Sequence, residues 1–174
     1  MAVERTSFLA VLEDSYSAYY NVINDDLPTD QYPIVFRADY FKRGEKYWMT
    51  KSIPIWGNET NEFFYLFSAN RLDAETVKGC IDYALAEGLP RVRPHKEHQY
   101  TNIKVLFVAD EFGDGALNEV KKAKHSVSYN HSLWGYSELL TAAVNCQSEA
   151  VVTNRAGSDM KKYFKKLFTA QHKS

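Results

Sequence analysis

The stretch KVLFVADEFGDGALNEVKK, residues 104–122, is the first place to look for chemistry. An apolar run ends in Asp110 and Glu111, and Asp114 follows between two glycines at the start of a helix-like segment. The end of a strand that leads into a helix is where α/β proteins place many ligands, and three carboxylates can hold Mg²⁺. The same residues have a plainer use. Asp114 can cap the helix, and Asp110 with Glu111 can mark the point where a strand leaves the core. No phosphate loop accompanies them, since the glycines fit neither GxGxxG nor GxxxxG followed by Lys and Ser or Thr.

Other reactive types are scattered. HKEH sets His95 and His98 three apart, a spacing that shares a metal on a helix. It follows Pro94 and has no apolar stripe, so it reads as a solvated loop, and the HExxH of zinc proteases is absent. There is no GxSxG elbow, and Cys80 and Cys146 lie among apolar residues without a catalytic signature. His125 and His131 flank SVSYN, but no motif joins them to a serine. No cofactor or metal is implied.

Charge offers a different function class. The formal net charge of −1 hides an asymmetry: residues 1–30 hold six acids against Arg5, and residues 155–174 hold six bases against Asp159. The two ends can attract each other within the fold, or the basic end can meet an outside polyanion. Arg155, Lys161, Lys162, Lys165 and Lys166 form the candidate basic patch. Lys121, Lys122 and Lys124 lie on another predicted helix, and clustered with it they would contact phosphates of a nucleic acid. A lysine-faced amphipathic helix is equally the ordinary look of a surface helix.

The elements that must position these residues follow from periodicity. Phe8, Val11, Leu12, Tyr16, Tyr19, Tyr20 and Ile23 predict a helix over 6–23, which NDDLPTDQYP breaks. From Ile34 the period becomes two, with Ile34, Phe36, Ala38 and Tyr40 on one face. KRGE then reads as a turn and KYWMTKSI as the partner strand, giving a hairpin over 34–53. PIWGNETN reads as a second turn and EFFYLFSA as a third strand, apolar on both faces. Asp73 caps a helix that buries Val77, Cys80, Ile81, Ala84 and Leu85 and ends near Gly88 and Pro90. NIKVLFVA is a covered strand, and a helix near 116–124 follows it. SYNHSLWGY is irregular. SELLTAAVNC and EAVVTN form another hairpin around Gln147 and Ser148. Ser158 caps a last helix that turns Met160, Tyr163, Phe164, Leu167 and Phe168 inward. The sum is an α+β (or α/β) single-domain sandwich over 1–174, a mixed sheet of about six strands flanked by helices.

Two resemblances are carried by these segments. LWGYSELLTAAVNCQSEAVVTNRAGSDMKKYFKKLF, together with IKVLFVAD, resembles a family of uncharacterised bacterial proteins of unknown function, which supplies no activity. The order helix, three strands, helix, strand is similar to the PD-(D/E)xK nuclease-like fold. Its active members carry an acid on the second strand and an acid-x-Lys on the third, holding Mg²⁺ beside a lysine. Here KYWMTKSI has no acid, the third strand begins Glu62-Phe63-Phe64 with phenylalanine in place of lysine, and Asp39 lies on the first strand.

With 45% apolar and 25% charged residues the chain is expected to be globular. Free thiols, no long apolar segment and no leader-like start make it an expected soluble, cytoplasmic protein. The leading expectation is a non-catalytic domain that binds a macromolecular partner, nucleic acid or protein, through aromatic and basic surfaces, with no membrane contact and a homo-oligomer left open. The alternative is a divergent Mg²⁺-dependent nuclease with Asp39, Asp110 and Glu111 as ligands.

Overall fold

The computed structural model describes residues 2–47 and 54–173, with side chains described outside 44–57. Among these residues four α-helices flank one open, mixed, seven-stranded sheet, an α+β fold. In chain order the elements are α1 (Arg5–Ser17), β1 (Asn21–Ile23), β2 (Ile34–Tyr47), β3 (Pro54–Leu72), α2 (Ala74–Gly88), β4 (His98–Phe112), α3 (Ala116–Lys122), β5 (Ser126–Ser128), β6 (Tyr136–Asn145), β7 (Val151–Thr153) and α4 (Ser158–Gln171). The strands lie in the order β1-β2-β3-β4-β6-β5, and β7 shares the outer edge of β6 with β5. β1, β2 and β3 pair antiparallel, whereas β3, β4 and β6 run parallel.

Two cores result, one on each face. Phe64, Leu66, Leu106 and Val108 point toward α1 and α4, where Phe8 stacks on Phe168 with ring centroids 4.8 Å apart. Tyr65, Phe67, Val105 and Phe107 point toward α2 and α3. All eight strand residues are fully buried, as strands covered on both faces require. Asp73 caps α2, accepting from the Thr76 amide at 2.7 Å.

Several local expectations are corrected. KRGE and PIWGNETN are not turns. Gly44 pairs with Asn58 and Glu45 with Gly57, so β2 and β3 run on as one long ribbon. A glycine among polar residues signals a turn only where pairing stops, and here it continues. The expected second strand, KYWMTKSI, contributes Lys46 and Tyr47 to β2, and its remaining residues, 48–53, lie outside the described ones. The first helix stops at Ser17, and Asn21–Ile23 turns back to pair with β2. A bulge between Ile34 and Phe36 sends Ile34 to the α2 face and Phe36 to the α1 face, so they do not share a side. Neither Asp114 nor Ser158 is a cap. Those positions belong to Gly115, at φ 78°, and Gly157. Tyr163, expected to face inward, turns outward.

Two outcomes test this architecture. Phe107 is fully buried and stacks on Phe67, so Phe107→Ala is expected to cost about 3–5 kcal/mol in urea unfolding; a loss near zero would move β4 to the periphery. Cys80 and Cys146 are free and buried in opposite cores, and burial pushes both thiols up to about 12. Ellman's reagent at pH 8 is therefore expected to label the native protein slowly and the urea-unfolded chain at once. Fast native labelling of either thiol would contradict that burial.

Candidate ligand cleft

The polarity of the sheet changes along the α1/α4 face. Cross-strand neighbours there run Phe36, Leu66, Leu106 and Ala142 in one row, and Ala38, Phe64, Lys104 and Leu140 in the next. Toward the N-terminal end of β3 and β4 the rows become Tyr40, Glu62, Asn102 and Glu138, then Lys42, Thr60, Tyr100 and Tyr136. Period-two alternation puts each row on one face. Of these polar rows, Tyr40, Lys42, Thr60, Glu62 and Tyr100 form a floor.

The last turn of α1 and the first turns of α4 stand over this floor and enclose a cleft of about 1190 Å³. Tyr16, Tyr19, Tyr20, Tyr40, Tyr100 and Tyr163 supply its aromatic lining, with Asn58, Thr60 and Gln99 among the polar groups. Tyr16 lies flat on Phe64 at 4.0 Å between centroids, and its other neighbour, Tyr20, leans on Tyr40. At the centre of the floor the Glu62 carboxylate accepts from Lys104 Nζ at 2.9 Å and from the Tyr20 hydroxyl. Burial, and then that carboxylate, pushes the Tyr20 phenol far above its usual range, so it remains a donor. Glu62 is thereby occupied on both oxygens, while Lys104 retains further N–H donors beside the cleft. Tyr19 and Tyr163 are exposed at the rim.

A strained loop braces the Gln99–Tyr100 side. Asn130, His131 and Ser132 are consecutive left-handed residues, followed by Gly135 at φ 74°, and each non-glycine residue in that region costs about 1 kcal/mol or more. A side chain at Gly135 would run into the Gln99 carbonyl. Trp134 gives its carbonyl to buried His98 Nδ1 at 2.7 Å, and Tyr136 stacks on Tyr100. The loop conformation thus fixes one wall of the cleft.

The residues singled out from sequence lie elsewhere. Asp39 pairs with Arg91 at 3.0 Å, and Arg91 also bonds Glu87 and Tyr65 and covers the Phe63 ring at 3.9 Å. This network clamps the end of α2 to the sheet. Asp110 faces the other way and pairs with Arg5 at 3.1 Å, and Glu111 pairs with Arg71. Asp39 sits beside Phe63, which sits beside Ile103, seven residues before Asp110, or roughly 23 Å along the strands. The structure does not bring the three together. Among the described residues no three His, Cys, Asp or Glu side chains are grouped to hold a metal. Both ring nitrogens of His95 and of His98 are engaged: His95 Nε2 contacts Glu59 at 3.1 Å and its Nδ1 accepts from the Glu97 amide at 3.2 Å, and His98 Nε2 contacts Thr101 at 2.8 Å. Lys161, Lys162, Lys165 and Lys166 are exposed on α4, and Arg155 lies before that helix, in a recess with Lys121, Lys122 and Lys124. Sequence reading missed the cleft because Glu62, Tyr100 and Lys104 become neighbours only through the parallel β3–β4 register. The surplus of aromatics was the one available signal.

The central ion pair is testable by a double-mutant cycle. Both side chains are mostly buried, so Lys104→Met, which leaves Glu62 without its cation, is expected to cost about 2–4 kcal/mol in urea unfolding. Adding Glu62→Gln should recover about 1 kcal/mol or more of it. Strictly additive effects would dissolve the pair.

No curated protein and no solved structure matches the chain. One family model does, the domain of unknown function DUF8052, over residues 4–166, from the residue before α1 to within α4. That span contains both helices that roof the cleft for most of their length and every strand of its floor, and the chain belongs to this DUF8052 family.

Proposed function

We propose that the chain is a non-catalytic binding domain whose α1/α4 cleft takes an extended polypeptide segment of a partner protein. The observation that carries this reading is the lining: six tyrosines interleaved with Ser15, Asn58, Thr60 and Gln99 in one open groove of about 1190 Å³. Tyrosine gives large, rigid, amphipathic contact at low entropic cost, and small polar residues give adaptable hydrogen bonds, the combination that protein-binding surfaces favour. The volume exceeds that of ordinary small-molecule pockets. Charge supports the same occupant. Lys42 and Lys104 are balanced in the lining by Glu62 and Asp159, so the groove lacks the cationic excess that a nucleic-acid strand needs. The carboxylates of the Mg²⁺-dependent alternative are each held in separate ion pairs and lend it no support. No described helix is long and apolar enough to cross a membrane. A cytoplasmic setting is part of the proposal, supported by two free thiols in opposite cores.

The experiment is selection of a randomised twelve-residue peptide library displayed on phage, followed by anisotropy with the enriched peptides. Tyr19 and Tyr163 stand exposed at the rim, so Tyr19→Ala/Tyr163→Ala should leave the melting temperature within a degree or two. The same double variant should weaken peptide binding about tenfold or more, since buried aromatic anchors dominate interface energies. Failure to enrich any peptide, or equal binding by the variant, would remove the cleft as the site.

A further inference from the structure

A second concavity, of about 660 Å³, opens at the β6 edge of the sheet, away from the tyrosine cleft. Its walls are the end of α3 and the start of β5, with Lys121, Lys122, Lys124, His125 and Ser126. Glu138 and Leu139 of β6 and the β7–α4 connection with Asn154 and Arg155 close it. Four permanent cations therefore surround one recess against a single carboxylate, Glu138. Lys122 is engaged by Glu119 at 2.8 Å. Lys121, Lys124 and Arg155 are exposed, and among the described residues they form no ion pair.

The frame of the recess is rigid. Asn154 is buried, and its amide group makes four hydrogen bonds. Oδ1 accepts from the Thr141 and Gly157 amides at 3.1 and 2.8 Å, and Nδ2 donates to the Ala123 and Leu139 carbonyls at 3.0 and 2.9 Å. One side chain thus ties the exit of α3, the middle of β6 and the entry to α4 together. Arg155 follows it directly, so its backbone position is fixed relative to Lys124.

We propose that this recess is an anion site for a compact, multiply charged phosphate group. With Lys122 taken by Glu119, the lone Glu138 carboxylate is a poor match for the three remaining cations. A phosphate carries about 1.5–2 charges and three strong acceptor oxygens at neutral pH, and the planar fork of Arg155 fits it in a bidentate manner. The site is local and concave, whereas a nucleic-acid backbone would need a long cationic track.

Pyrophosphate is the probe. Titrated at constant ionic strength, it should raise the melting temperature and broaden its own ³¹P resonance. The charge-neutralised Lys124→Gln/Arg155→Gln variant should bind it at least about tenfold more weakly, as expected for the loss of charge-assisted hydrogen bonds. A control with Lys161→Gln and Lys165→Gln, on the exposed face of α4, should bind as the unaltered protein does. Absence of binding at constant ionic strength would overturn the proposal, as would equal weakening in the α4 control. An oligonucleotide without a terminal phosphate that displaced pyrophosphate would assign the recess to nucleic-acid backbone and overturn it as well. Competition by a 5′-phosphorylated mononucleotide would instead support it and identify the phosphate as ligand-borne.

Discussion

Strands and helices advance along their axes at different rates, and this mismatch shapes the molecule. A strand rises about 3.3 Å per residue and a helix 1.5 Å. β3, with 19 residues, and β4, with 15, thus extend roughly 63 and 50 Å, whereas α1 and α4, with 13 and 14, reach only about 20 Å. Helices of this length can cover the middle of such strands and no more. Where cover exists, both faces are apolar. Where it ends, the same strands switch to Thr60, Glu62, Tyr100 and Asn102, and the cleft occupies the transition.

Carboxylates on the sheet are held in place by pairing. Glu62 is bonded by Lys104 and Tyr20, Asp39 by Arg91, and Asp110 by Arg5. Each of these carboxylates is partly withdrawn from water and relies on a charged partner there, although Asp39 is paired through Oδ2 alone and its buried Oδ1 has no partner. Donors also remain open, the spare N–H groups of Lys104 and the cations around Arg155, together with tyrosine faces.

The central part of this architecture was legible in the sequence. Runs such as FFYLF and VLFVA can lie only between two apolar layers, and the period-three-and-four stripes of α2 and α4 name the faces that cover them. The hairpin boundaries were not legible, because Gly44 and Gly57 look like turn residues while the ribbon pairs straight through them. The short edge strands escaped for the opposite reason. β1 and β5 have three residues each, too few for a period, and exist because β2 and β6 present unpaired edges. Tyr163 has the spacing of a core residue, yet it lies beyond the reach of the sheet surface and lines the cleft. The acidic cluster looked like a site because sequence shows neighbours along the chain, and its partners Arg5 and Arg71 come from other segments.

The same difference between sequence neighbours and spatial neighbours explains why TNRAG is informative only in three dimensions. In sequence, Asn154 is one polar residue before an arginine. In the fold it fills a gap between three elements, and every hydrogen-bonding position of its amide is used. Aspartate could not donate to the Ala123 and Leu139 carbonyls, and leucine would leave the Thr141 and Gly157 amides unpaired, so no side chain of similar size reproduces the joint. Gly157 is required beside it, because a Cβ there would press on the Thr141 carbonyl at 2.8 Å and on Asn154 itself. The joint therefore sets the path of the chain from β7 into α4. That path places Arg155 over the recess and Met160 and Phe164 over the sheet, so one buried amide positions a wall of each concave surface.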